Sequence, residues 1–193
     1  MNPETHEGNT PLDEDESDGL IPTHITTQGA LNEWEQANTL EAEQWAFARK
    51  RSDYLSMDFI FELHRRMFAN TWKWAGKART TEKNIGVAAS DIRPELLNLL
   101  RDAQHWIEHK TYEPDELAAR FHHRLVQIHV FPNGNGRHAR LMTDAILFNL
   151  DRPRFSWGSS DLYRKGDARD RYLAALKEAD RSNAKPLLRF VRT

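Results

Sequence analysis

The segments of this 193-residue chain that can bury apolar side chains do so with helical rather than alternating spacing, and this confines the fold to a bundle of helices. The pattern predicts helices over Leu31 to Lys50, Met57 to Phe68, Pro94 to Glu108, Asp115 to Ile128, Arg137 to Leu150 and Ala168 to Arg181, with a short last piece from Pro186. Their starts carry chemistry suited to a helix N-terminus: Ser56 and Asp167 as caps, and Pro94, whose missing N–H costs nothing in a first turn. In the first helix, Leu31, Trp34, Leu40, Trp45 and Phe47 are the candidate buried face. Only Arg79 to Val87 reads as extended, with Thr80-Thr81 and Ile85-Gly86-Val87 forming a short hairpin around Glu82-Lys83-Asn84. The expectation is an all-α fold with one small β-hairpin.

Charge divides the chain unevenly. Residues 1–48 hold eleven Asp and Glu and no Lys or Arg, which leaves 27 basic against 18 acidic residues in the remainder. An acidic block of this kind reads as a solvated arm, so residues 1–27 are expected to be an extended arm and 28–193 a single domain. A 39% hydrophobic content suffices for one sizeable core. The absence of cysteine excludes disulfides and thiolate metal sites. No apolar run approaches a membrane span, and the N-terminus lacks a basic region followed by an apolar core. The expectation is a cytoplasmic protein that needs no membrane.

One run concentrates chemistry: His129-Val130-Phe131-Pro132-Asn133-Gly134-Asn135-Gly136-Arg137-His138-Ala139-Arg140. The prolines, asparagines and glycines make a turn, and Gly134 and Gly136 allow backbone N–H groups to approach a ligand. A helix starting there presents unpartnered N–H groups and the positive end of its dipole to an anion. Arg137 and Arg140, three apart, share the face beside it and can fix several phosphate oxygens. His129, upstream of the turn, can accept a proton at neutral pH. Singly, each of these residues has an ordinary reading as a surface turn, a core histidine or a solvated arginine. Their order together describes a phosphate cradle beside a base.

This run resembles the motif of the Fic family, His-x-Phe-x-(Asp/Glu)-Gly-Asn-Gly-Arg-x-x-Arg, and departs from it at Asn133, where the family has a carboxylate. Trp74 to Thr80 followed by Asn84-Ile85-Gly86 is similar to the family's flap, and Arg171-Tyr172 with Pro186-Leu187-Leu188 to its C-terminal helices. The acidic start Thr10 to Asp13, Leu31 to Glu35 and Phe155 to Gly158 extend the likeness to the Fic subgroup called mobile mystery protein B. The resemblance implies a Fic-type helical bundle and transfer of AMP from ATP to a Ser, Thr or Tyr hydroxyl of a target protein. His129 would be the base and Phe131 a loop anchor. Gly134, Asn135 and Gly136 would form the anion hole, Arg137 and Arg140 would hold the phosphates, and Tyr172 would line the adenine pocket. Thr80, Thr81, Glu82, Lys83, Asn84 and Ile85 would dock the target main chain by strand addition. Mg²⁺ would meet a neutral amide at Asn133 in place of a carboxylate, which lowers the expected metal affinity. A small helix-turn-helix protein is the partner the subgroup implies.

Fic proteins are commonly restrained by a helix whose Glu pairs with the second motif arginine. Glu43, in Thr39-Leu40-Glu41-Ala42-Glu43, and Glu35 are the candidates, either one expected on Arg140. Alternatives to an AMP transferase are a related phosphotransferase or AMP-removing hydrolase, and a weakly active nucleotide-binding, toxin-like interaction module. His105 with His109, and His122-His123, are read as surface and core residues rather than metal ligands. The six tryptophans are read as core or cleft walls, and the basic runs Arg49-Lys50-Arg51 and His64-Arg65-Arg66 are too short to imply nucleic-acid binding.

Overall fold

The computed structural model describes residues 17–159, 162 and 166–193, so most of the expected acidic arm lies outside the described residues. Seven α-helices occupy the described chain: α1 Gln28–Phe47, α2 Met57–Phe68, α3 Ile92–Glu108, α4 Pro114–Ile128, α5 Asn135–Asn149, α6 Asp167–Asp180 and α7 Lys185–Phe190. The Ser56 hydroxyl accepts the Phe59 N–H at 3.1 Å, and Thr27 caps α1 in the same way through Ala30 at 3.2 Å. The turn Ala89–Asp91 feeds directly into α3, which therefore starts ahead of Pro94 and leaves the proline in its first turn. α5 likewise starts at Asn135, because Gly134 in the left-handed region ends the loop and begins the helix.

α5 is the central helix. α4 packs along it, α1 and α2 cover another side, α3 backs α4, and α6 with α7 closes the far end. The main core joins Phe59, Leu63 and Phe68 of α2 to Leu96 of α3, Phe121 of α4 and Met142 of α5. Each fully buried aromatic or leucine there contributes about 2–3 kcal/mol of transfer free energy. A second cluster gathers Leu147, Phe155, Trp157, Tyr172, Leu187 and Phe190 at the C-terminal end. Asp144 holds the segment after α5 in place, accepting the Phe155 N–H at 3.1 Å and the Trp157 Nε1–H at 3.0 Å.

Two expectations need correction. The buried stripe of α1 is Leu31, Glu35, Asn38, Ala42 and Ala46, whereas Trp34 and Leu40 are exposed. Small and polar residues face inward because this helix packs on polar groups around the central loop: Asn38 Nδ2 donates to Thr71 Oγ1 at 3.1 Å, and its Oδ1 accepts from Asn70 Nδ2 at 3.2 Å. The stretch from Arg79 to Val87 is irregular, bending at Thr81 and over residues 84–87, and does not form the ladder of a hairpin. Its two limbs are joined to each other by the Arg79 side chain, which donates to the Thr81 and Val87 carbonyls. Upstream, Gly19 and Ile21 hydrogen-bond the backbone of Lys73 and Thr71, which lays the described end of the N-terminal segment beside Trp72. No helix among the described residues is long and apolar enough to cross a membrane.

Candidate active site

α4 ends at Ile128, and His129 follows in the left-handed region, φ 55° and ψ 61°. A non-glycine residue there is uncommon, and such residues concentrate at functional sites. The turn redirects the chain into the motif loop. His129 is 5% exposed, and burial, followed by the charges of Arg79 and Lys83, lowers its pKa to about 4. Its imidazole is therefore neutral at pH 7 and able to take a proton.

The loop is held from below by Phe131, fully buried and stacked on the His64 ring at 3.6 Å between centroids. Asn135 brackets Phe131: its Oδ1 accepts the Phe131 N–H at 2.9 Å and its Nδ2 donates to the Phe131 carbonyl at 2.7 Å. The side chain expected to serve the anion hole is thus a loop staple, and only the backbone N–H of Asn135 is left to face a ligand. Gly134 sits at φ 76°, and a Cβ there would lie 2.6 Å from the Phe68 ring, so no other residue fits without displacement. Asn133 Oδ1 accepts the Gly134 N–H at 2.6 Å. No side chain caps the first turn of α5, so the positive end of its dipole is offered to whatever binds there.

His64 joins this loop to the next element. The Gly76 N–H donates to His64 Nδ1 at 2.9 Å, which leaves Nε2–H to donate to the Asn133 carbonyl at 3.1 Å. That pattern fixes the neutral tautomer, and burial drives its pKa well below the ordinary histidine value.

The arginines are differently engaged. Arg137 Nη1 meets Glu35 Oε2 at 2.5 Å with side chains 15% and 6% exposed, and its guanidinium lies 4.7 Å above the Phe68 ring. Trp72 Nε1 donates to the other Glu35 oxygen at 2.7 Å. Glu35 therefore occupies the first motif arginine and not Arg140, the partner expected from sequence. Glu43 is on neither, since it pairs with Arg154. Arg140 instead lies 5.9 Å from the Tyr172 ring centroid and hydrogen-bonds its hydroxyl, which also shares a 2.8 Å hydrogen bond with His122 Nε2. Tyr172 is 5% exposed, so in this arrangement it braces Arg140 from behind rather than presenting a face to a pocket.

The extended segment crosses over His129. The Arg79 N–H donates to the Val130 carbonyl at 3.0 Å and the Val87 N–H to the Ile128 carbonyl at 3.4 Å. Thr80, Thr81, Glu82, Asn84 and Ile85 are exposed and Lys83 is half-buried. A cleft of about 760 Å³ opens at the root of this segment, between Met57 and Phe61 of α2, Lys77 and Thr80, and Ser90 and Arg93. The cleft includes none of the motif residues and so lies beside the phosphate cradle, not in it.

The donor set does not make a resident metal centre. No group of three His, Cys, Asp or Glu that could hold a metal occurs among the described residues, and the Asn133 oxygen already accepts a backbone N–H. Sequence reasoning missed His64 and Arg79 as parts of the site. His64 was hidden in a short basic run, and Arg79 stood within the flap resemblance and at the start of an extended stretch, with no role of its own.

A model of the Fic/DOC family matches residues 54–147, which span α2, the extended segment and most of α5. The protein adenylyltransferase fic-1 of Caenorhabditis elegans is 33% identical over 147 residues, covering 74% of this chain, while the chain spans only 27% of that protein's length. The solved structure of a C. elegans Fic-1 fragment superposes with a TM-score of 0.64 at 28% identity, covering 92% of this chain and 51% of that one. The N-terminal Fic domain of a VirB-translocated Bep effector protein from Bartonella quintana, solved with bound ADP, shares the fold with a TM-score of 0.70 at 17% identity, covering 92% and 94%.

Proposed function

The chain belongs to the Fic/DOC family, and on that premise we propose that it transfers AMP from ATP to a Ser, Thr or Tyr hydroxyl of another protein. The observation that carries the reading is a buried neutral histidine, His129, whose left-handed backbone turns the chain into a loop ending at a helix N-terminus with no side-chain cap and with two arginines in its first turns. In the proposed step His129 takes the proton of the target hydroxyl, whose oxygen forms a bond to the α-phosphorus of ATP. The bond from that phosphorus to the bridging oxygen of the β-phosphate breaks, and pyrophosphate leaves. The chain's task is positioning and charge neutralisation. The first N–H groups of α5 and the Arg137 and Arg140 guanidiniums supply the positive side of that cradle. The exposed segment from Thr80 to Ile85 presents the target's main chain to His129, with the adjoining cleft to receive flanking residues.

Mg²⁺, where it takes part, arrives with the nucleotide. Asn133 has one neutral oxygen to offer it, and phosphate oxygens would carry the charge. Glu35 restrains the site by holding Arg137, so that phosphates and carboxylate compete for one guanidinium. Incubation with ATP labelled at the α- or the γ-phosphate tests the reading: α label on protein supports AMP transfer, γ label phosphoryl transfer. A second reading follows from the neutral Asn133 and the engaged Arg137: a nucleotide-responsive module with little turnover, acting through a small helix-turn-helix partner. It predicts ATP binding without transfer of either label, even in a Glu35→Gln form.

A further inference from the structure

We propose that Arg79 is a positioning residue that couples the extended flap to the base: one buried guanidinium ties both flap limbs to the backbone of His129. Its side chain is fully buried. Nε donates to the His129 carbonyl at 2.7 Å, Nη1 to the Thr81 carbonyl at 2.9 Å in the first limb, and Nη2 to the Val87 carbonyl in the second. The planar fork of arginine reaches three carbonyls in fixed directions, which lysine's single ammonium cannot reproduce. Gly86 completes the coupling. At φ +106° it brings the second limb so close that a Cβ there would meet His129 Cβ at 2.7 Å and Arg79 Nη2 at 2.8 Å. These contacts stand where a ladder would otherwise join the two limbs, so the flap's position depends on this side chain.

The same placement acts on the chemistry. The charged groups that bear on His129 are Arg79 and Lys83, both on the flap, and both favour its neutral form. Glu82, 3.9 Å from Arg79 Nη1 and exposed, offsets part of that charge. A flap held closed by Arg79 therefore also keeps the base unprotonated. A flap that lifts away opens His129 to water and removes the positive field, and both let it titrate nearer its ordinary value. Flap closure and base readiness become one event. This deepens the proposed reaction, but its central readouts do not depend on turnover.

The test uses the full chain with labelled histidine rings, followed by NMR titration, together with amide exchange over Thr81 to Val87 and steady-state kinetics. In Arg79→Met, the His129 titration midpoint rises by roughly one pH unit and flap exchange accelerates on the order of 10-fold or more. In Arg79→Lys, the charge is kept and the fork is lost. The His129 midpoint then stays near wild type, while flap exchange still accelerates and kcat falls about 10-fold with KM for ATP unchanged. A folded Arg79→Met with the His129 midpoint unmoved, or an Arg79→Lys with flap exchange unmoved, overturns the proposal. If Arg79→Met does not fold, the exchange measurement on Arg79→Lys decides. If wild-type protein transfers no AMP, the titration and exchange results still decide the role of Arg79, and only the proposed reaction fails.

Discussion

Replacing Glu35 with Gln should release the phosphate cradle with little cost to the fold. Glu35 is 5% exposed, bonds Arg137 at 2.5 Å and accepts from Trp72 Nε1 at 2.7 Å. A charge-assisted hydrogen bond in such a setting contributes about 1.5–3 kcal/mol, and ATP must displace it to engage Arg137. Removing the negative charge while keeping the shape should therefore tighten ATP binding about 10- to 100-fold. Glutamine keeps an oxygen for Trp72, so the unfolding midpoint should move little. Glu35→Ala removes the acceptor as well. It should lower stability by about 3 kcal/mol, the low end for a broken buried pair, because the Arg137 side chain is 15% exposed. Calorimetric titration with ATP, thermal unfolding and transfer of α-labelled AMP report the three quantities. An ATP affinity for Glu35→Gln within two-fold of wild type would refute the argument that Glu35 and phosphate compete for one arginine.

Gly134→Ala forces a methyl into the Phe68 ring at a positive φ, so it should cost about 2–4 kcal/mol in urea unfolding and abolish nucleotide binding. Asn133→Asp should raise AMP transfer and make it steeply dependent on Mg²⁺ titration, and unchanged metal dependence would remove this residue from metal binding. Stability should fall as pH drops from 7 to 5. His64, His122, His129 and His138 are buried with lowered pKa values, about 3 for His122 and about 4 for His129 and His138. What each contributes is present above about 6.5 and is lost as pH falls toward the folded value, about 2 kcal/mol at pH 5 for each of His122, His129 and His138. Asp144 works the other way. Burial raises its pKa to about 6, so its protonation below 6 returns about 1 kcal/mol, and the histidines win. A thermal midpoint constant across this range would contradict the assignment of these rings as buried and neutral.

The helices were legible because their signals are local. Ser56 and the spacing of Phe59, Leu63 and Phe68 specify α2 from its own residues. The motif loop was legible as a cradle for the same reason: glycines, asparagines and arginines state their backbone needs in sequence. What escaped was set by contacts distant along the chain. Trp34 and Leu40 are exposed while Glu35 and Asn38 are buried, because α1 packs on Thr71, Trp72 and Arg137 and only the assembled fold brings those polar groups together. Glu35 could be nominated from sequence, but its choice of Arg137 over Arg140 depends on how the fold lays α1 against α5 and the Trp72 indole, while Arg140 lies at the Tyr172 ring. Arg79 and His64 act through backbone carbonyls and amides, partners that no residue pattern identifies. The expected hairpin failed for a related reason: the backbone N–H groups of Arg79 and Val87 go to Val130 and Ile128, and the Arg79 side chain rather than a backbone ladder joins the two limbs.

The central claim is that His129 is the base of an AMP transfer carried out on the cradle at the start of α5. Its most direct test is transfer of α-labelled AMP from ATP to protein by the wild-type and Glu35→Gln chains, each compared with the same chain carrying His129→Ala. The account predicts α label on protein, more of it with Glu35→Gln, none of it from the γ-phosphate, and a loss of at least about 100-fold when His129 is removed. Label transfer that survives His129→Ala, or protein labelled from the γ-phosphate instead, would contradict it.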